Sequence, residues 1–124
     1  MSFVEPACLP VDLIILSSIQ MSTARGSVRS FDGGSRFTAT FIIDEIMYQF
    51  WGNLGPAGQD FSSMNATLTY TSTEQLTAQR PFDGQVGTMD LMINIANGPQ
   101  ISGPLDAPIH PVIRVSGSGV WMHS

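Results

Sequence analysis

The chain predicts an all-β domain: a closed antiparallel β-barrel of about seven to eight strands, with a β-sandwich as the alternative. Three observations carry this. Met64 to Thr71 alternates, with Met64, Ala66, Leu68 and Tyr70 on one side and Asn65, Thr67, Thr69 and Thr71 on the other. That period-two pattern belongs to a strand with one buried face. Segments of the same kind recur between turn residues. The 12 Gly and 8 Pro are scattered as punctuation and not gathered in a low-complexity block. A strand with one apolar face needs neighbours that share the face, which leaves a sandwich or a barrel.

Taken in order, residues 1–10 carry Glu5, Pro6 and Pro10 and read as a lead-in; residues 11–124 read as one domain. Val11 to Met21 is expected as the first strand, apolar on both faces at Leu13 to Leu16, and Thr23 to Arg29 continues it past Gly26. Phe31-Asp32-Gly33-Gly34 is a turn. Arg36 to Asp44 is a strand with Phe37, Ala39, Phe41 and Ile43 inward; Ile42 breaks its polar face. Ile46 to Trp51 is rich in aromatics and is expected as the return strand of a hairpin in preference to a short helix. Gly52 to Gly58 reads as a loop and Phe61 to Ser72 as the next strand. Ser72 with Gln75 three residues on resembles a capping box, so one helical turn is expected there. Further on, Asp83-Gly84 is read as a turn, Gly87 to Asn94 as a strand with Met89, Leu91 and Ile93 inward, and Asn97-Gly98-Pro99 as a turn. A stub at Gln100 to Ser102, a loop at Ala107 to Pro111 and a closing strand at Val112 to Met122 complete the chain. Gly117 and Gly119 in the last strand signal a bulge, a bend or the close approach of another backbone.

Composition excludes several functions. Charged residues are 12% of the chain, about half the usual share. All five basic residues are arginines (Arg25, Arg29, Arg36, Arg80 and Arg114) against ten acids, for a net charge of -5. Nucleic acid is therefore not an expected partner, because its phosphates require a basic patch. An anionic membrane surface would repel the chain as well. The single Cys8 builds neither an internal disulfide nor a metal site. No basic residue followed by a long apolar run opens the chain, so it is expected to be cytoplasmic, or secreted with its signal removed.

From Tyr48 onward the residue strings resemble the virulence-associated (Vap) proteins of Rhodococcus. The strings are Phe50-Trp51-Gly52-Asn53, then Thr67-Leu68-Thr69-Tyr70-Thr71 with Glu74 to Leu76, then Leu91-Met92-Ile93-Asn94-Ile95, and finally Gly117-Ser118-Gly119-Val120-Trp121. The resemblance covers roughly residues 45–121. It implies a closed eight-stranded antiparallel barrel and a function that resides in no catalytic motif. The chain departs from the family pattern at Leu54 and Pro56, which interrupt the middle glycine run, and at Gly103 to Pro108.

No metal, cofactor or phosphate-binding motif is present: His110 and His123 match no ligand spacing, and no serine sits in a nucleophile elbow. Asp44 and Glu45 are adjacent, so they are read as a solvated hairpin tip and not as a catalytic pair. Tyr70, Glu74 and Asp90 are the candidate catalytic groups. Phe41, Tyr48, Trp51, Met64, Tyr70, Met89 and Trp121 are the candidates to line an apolar ligand cavity. Buried Tyr and Trp each need a partner for their polar hydrogen, which a ligand oxygen would supply. Two readings follow. One is a non-enzymatic barrel binding a lipophilic molecule, a lipid surface or a protein partner. The other is a cofactor-free cyclase or isomerase, of the spirotetronate-cyclase or allene-oxide-cyclase type, folding an apolar substrate in its lumen. With no lysine to guard its sheet edges, the chain is also a candidate homodimer.

Overall fold

The computed structural model describes residues 21–54 and 59–124. The expected lead-in, the strand expected over Val11 to Met21 apart from Met21 itself, and residues 55–58 of the Gly52 to Gly58 loop lie outside them. The described chain is antiparallel sheet almost throughout: β1 (Ser22–Phe31), β2 (Arg36–Ile43), β3 (Ile46–Leu54), β4 (Ser62–Tyr70), β5 (Gln79–Ile95) and β6 (Gln100–His123), with one 3-10 turn at Thr73–Gln75.

The strands form one sheet in the order β3-β2-β1-β4-β6-β5, and β3 also pairs with β6. Hydrogen bonding therefore runs in a ring, from β3 through β2, β1, β4 and β6 back to β3. β6 closes it by pairing Gln100, Ile101 and Ser102 with β4 and Gly117 to His123 with β3. Inward residues of every strand meet in one core, among them Val28, Phe37, Phe41, Phe50, Leu68, Leu91, Ile93 and Ile101. Each such side chain contributes roughly 1.5–3 kcal/mol through removal from water.

The hairpins follow local chemistry. Asp44 and Glu45 form the two-residue tip between β2 and β3, both at positive φ (52° and 68°), and both are exposed. Asp32, Gly33 and Gly34 turn β1 into β2, also at positive φ. The capping box is present: Ser72 Oγ accepts from the Glu74 N–H, and Gln75 Oε1 accepts from the Ser72 N–H. Gln75 Nε2 also donates to the Asn97 carbonyl at 2.8 Å, tying this turn to the β5–β6 hairpin.

Three expectations are corrected. The Gly52 loop begins later, because β3 runs on to Leu54. The Asp83-Gly84 turn does not form; β5 is a single strand of 17 residues that folds back on itself. The Ala96 N–H donates to the Pro81 carbonyl, and a Cβ at Gly84 would strike the Met92 backbone. Glycine is needed there for backbone to pass backbone. Likewise the stub, loop and closing strand expected after Gln100 are one strand of 24 residues. Its prolines at 104, 108 and 111 fall in the stretch that pairs with β5 alone: Pro104 ends the regular ladder opposite Asp90, and Pro108 and Pro111 lie where the register slips.

The fourth correction concerns β4. Gly26 opposes Ala66 but Val28 opposes Ser63, so β4 carries one extra residue between them. This bulge turns both Met64 and Asn65 outward and Ser63 inward. The Asp106 carboxylate holds it, accepting from the Met64 N–H at 3.1 Å and from Ser62 Oγ at 2.7 Å.

Two stability changes follow. Asp106→Ala lowers the unfolding free energy by about 1–2 kcal/mol in urea titration, since the freed N–H retains access to water. Asp44→Asn with Glu45→Gly raises it by about 1 kcal/mol, because an Asn-Gly pair takes the left-handed conformations of this tip without strain.

Candidate functional site

The interior is the first place where a site was expected. Phe41, Tyr48, Tyr70 and Trp121 do point inward. Their company is a packed stack of rings: Phe50 lies 5.0 Å from Trp121 and 5.8 Å from Phe82, and Phe37 lies 5.4 Å from Phe82 and 6.4 Å from Phe61, centroid to centroid. These are ordinary aromatic packing distances, with no room for a ligand between them. Two polar groups inside this core have no hydrogen-bond partner among the described residues, the Trp121 indole N–H and the Ser63 hydroxyl.

Tyr70 and Tyr48 sit towards the end of the core nearest the Asp44 hairpin. Burial, then the Asp44 charge and Tyr48, push the Tyr70 phenol above its ordinary value of 10.0. Tyr48 stacks on His123 with centroids 5.7 Å apart, and the two are register partners between β3 and β6.

Three of the expected cavity residues lie outside. Trp51 is 42% exposed, Met64 71% and Met89 64%. Trp51 cannot share a face with Tyr48, because the two are an odd number of residues apart in one strand and β3 turns Tyr48 and Phe50 inward. Met64 is turned out by the β4 bulge. Met89 lies where the β5–β6 register shifts on both sides of Thr88, which breaks the alternation that carries Leu91 and Ile93 inward.

Outside, two features stand out. The first is an apolar sheet face. Trp51 stands between Thr38 on β2 and Val120 on β6, Gln49 between Thr40 and Met122, and Met47 beside Ile42. Ile42, Met47, Trp51, Val120 and Met122 are all exposed, and these rows carry no charge. The second is a pair of clefts on the β5–β6 arm. One of about 530 Å³ is lined by Asp83, Gln85, Asp90, Asn94 and Arg114; the other, of about 520 Å³, by Met89, Asp90, Met92, Pro104 and Leu105. Both are open to solvent, and Asp90 and Met92 belong to both.

The candidate catalytic residues are not assembled. Asp90 lines the outer clefts, Glu74 is exposed on the 3-10 turn and Tyr70 is in the core. The acids of the hairpin tip are both solvated. Ile42, the one apolar residue on the polar face of β2, is the sequence signal for the outer patch, and its register partner Met47 completes it. The polar cleft had no local signal, since Asp83 and Asp90 meet only because β5 folds back.

Among the described residues no helix is long and apolar enough to cross a membrane. Comparison with protein-family models, curated proteins and solved structures finds no match.

The raised Tyr70 value has a sign. Tyr70 stays protonated in the folded state where the unfolded chain already ionises, so its contribution is whole below pH 10.0 and is lost as pH rises through the higher folded value. Tyr70→Phe is therefore expected to make stability fall less steeply in alkaline urea titrations. An unchanged slope contradicts the assignment.

Proposed function

We propose that the protein is a non-catalytic binding module, a closed barrel of the Vap-like kind, that docks a protein partner on the outer face of β2, β3 and β6. The barrel reading rests on the ring of pairings together with the fold-back of β5. With the two halves of β5 and of β6 counted separately, the circuit contains about eight strand segments, the number at which side chains just fill a barrel interior. The aromatic stack supports a filled interior, so a partner must be met outside.

One observation carries the choice of face: Trp51, Met47, Met122, Ile42 and Val120 are exposed together on an uncharged sheet surface. Protein interfaces are enriched in Trp and Met and depleted in Lys, Glu and Asp. Trp is also a frequent anchor of binding energy, and clustered exposed apolar residues mark a contact surface. A cyclase would need an open lumen bringing Tyr70, Glu74 or Asp90 to a substrate, and neither the stacked rings nor the separation of these residues supports it.

The test uses a dye that reports exposed apolar surface. The native protein is expected to enhance anilinonaphthalene sulfonate fluorescence, and Trp51→Lys with Met122→Lys is expected to abolish the enhancement while the far-ultraviolet dichroism stays unchanged. Enhancement that persists in the double variant and is displaced by a fatty acid or sterol would place the binding surface in the lumen and overturn the proposal.

A further inference from the structure

We infer that Met47 and Met122 are oxidation sites through which peroxide switches off docking on the β2–β3–β6 face; this rests on the docking reading above and names its regulation. The observation that carries it is where methionine falls in this chain. Methionine is among the side chains most often fully buried, and its flexible thioether fills irregular gaps in cores. Here the core is built from Phe, Tyr, Trp, Leu, Ile, Val and Ala, and none of the methionines that the structure describes belongs to it. All six of these are exposed: Met64 and Met89 most, then Met21, Met122, Met92 and Met47 at 56%, 51%, 45% and 40%. They are six of the eleven large hydrophobic residues exposed among the described residues, so every described thioether is open to a dissolved oxidant.

An exposed thioether has one ready reaction with hydrogen peroxide. The sulfur lone pair attacks one peroxide oxygen, an S–O bond forms as the O–O bond breaks, and the departing hydroxide takes up a proton and leaves as water. Sulfur gives up two electrons and the peroxide accepts them. The product, methionine sulfoxide, is polar and chiral. A thiol-dependent sulfoxide reductase reverses the step: two thiols become a disulfide and the oxygen leaves as water. Inside a core this oxidation disrupts packing. In this chain, oxidation of the described methionines leaves the core residues as they are and changes only the surface.

The consequence is greatest where that surface is apolar. Met122 is in register with Gln49 on β3, which makes Met47 and Trp51, two residues to either side of Gln49, its diagonal neighbours on the same outer face. Met47 is in turn in register with Ile42. The two thioethers therefore stand together between Ile42 and Trp51, and they are two of the five exposed apolar residues of this face. Their oxidation sets two strong hydrogen-bond acceptors among rows that carry no charge, and a partner that covers them must strip their hydration. Met64, Met89 and Met92 lie elsewhere, at the β4 bulge and along the β5–β6 arm, and take up oxygen without altering the docking face.

The test uses the full chain with Cys8→Ser, which removes its one thiol. After treatment with hydrogen peroxide, peptide mass spectrometry reads the oxygen gained at each methionine. Anilinonaphthalene sulfonate fluorescence, far-ultraviolet dichroism and urea unfolding are read on the same samples. Oxidation of Met47 and Met122 is expected to abolish the dye enhancement with the dichroism unchanged, and sulfoxide reductases acting on both epimers are expected to restore it. Met47→Leu with Met122→Leu keeps the face apolar. That variant should retain its enhancement under the same peroxide while Met64, Met89 and Met92 still gain oxygen. Loss of enhancement in the leucine variant, or enhancement that survives full oxidation of Met47 and Met122, overturns the switch. The docking reading then stands by itself if Trp51→Lys with Met122→Lys still abolishes the enhancement. Loss of the dichroism on oxidation shows unfolding in place of a surface change and overturns the switch as well. Untreated protein without any enhancement removes the docking reading, and the switch falls with it.

Discussion

The structure depends on β6 serving two partners. Its first residues complete the ladder of β4 and its last residues complete that of β3, so the four-stranded sheet β4-β1-β2-β3 has both edges occupied by one chain segment. That demand explains the 24-residue length and the prolines at its middle, since the strand must bend between the two ladders. β5 follows it through the same bend, with register shifts on both sides of Thr88, and comes back across itself at Gly84. At Gly119 a side chain would collide with the Phe50 ring, which lies over the glycine and reaches Trp121 behind it. Ring closure and core packing are therefore one constraint. Gly119 and Gly52 each leave the space beside the backbone that a phenylalanine ring occupies, Phe50 and Phe37 respectively.

The same constraint separates inside from outside. Inside the ring of pairings the aromatics pack against one another, and the Trp121 indole N–H is buried without a hydrogen-bond partner among the described residues. Leaving such a group unsatisfied costs on the order of 1–3 kcal/mol, a cost the packing of Phe37, Phe50, Phe82 and Trp121 has to offset. The outer surface is divided in turn. Threonines cover β4 and part of β2, polar side chains line the cleft on the β5–β6 arm, and the apolar residues gather where β2, β3 and β6 lie side by side. Charge is confined to the ends and margins of that face.

Much of this was legible in the sequence where the signal is local. The alternation of β2, the aromatic return strand and the turns at Asp32, Asp44 and Asn97 all follow from side-chain period and residue type. So does the capping box at Ser72. What failed was long-range. The bulge at Met64 depends on Asp106, 42 residues away, and reverses the face of the residue on which the alternation was first read. Gly84 and the prolines at 104, 108 and 111 look like chain breakers, yet here they permit bends within strands whose pairing partner accompanies them. Trp51 and Tyr48 were grouped by chemistry although strand geometry puts them on opposite faces. Of the expected lining residues the four that are buried pack the core, and the three that are exposed lie on outer surfaces. The Vap resemblance rested on short glycine-rich and apolar strings, which are weakly specific to any one family.

The central claim is that contact takes place on the outer face of β2, β3 and β6 and not in the interior. Methyl-resolved nuclear magnetic resonance tests it most directly, with spectra recorded as anilinonaphthalene sulfonate and, separately, a lipophile such as oleate are added. The account predicts that the dye moves the methyl signals of Ile42, Met47, Val120 and Met122, and that those of Leu68, Ile93 and Ile101 stay in place under both titrations. Movement of the interior methyls on addition of oleate, with the outer ones still, would show an accessible lumen and contradict it.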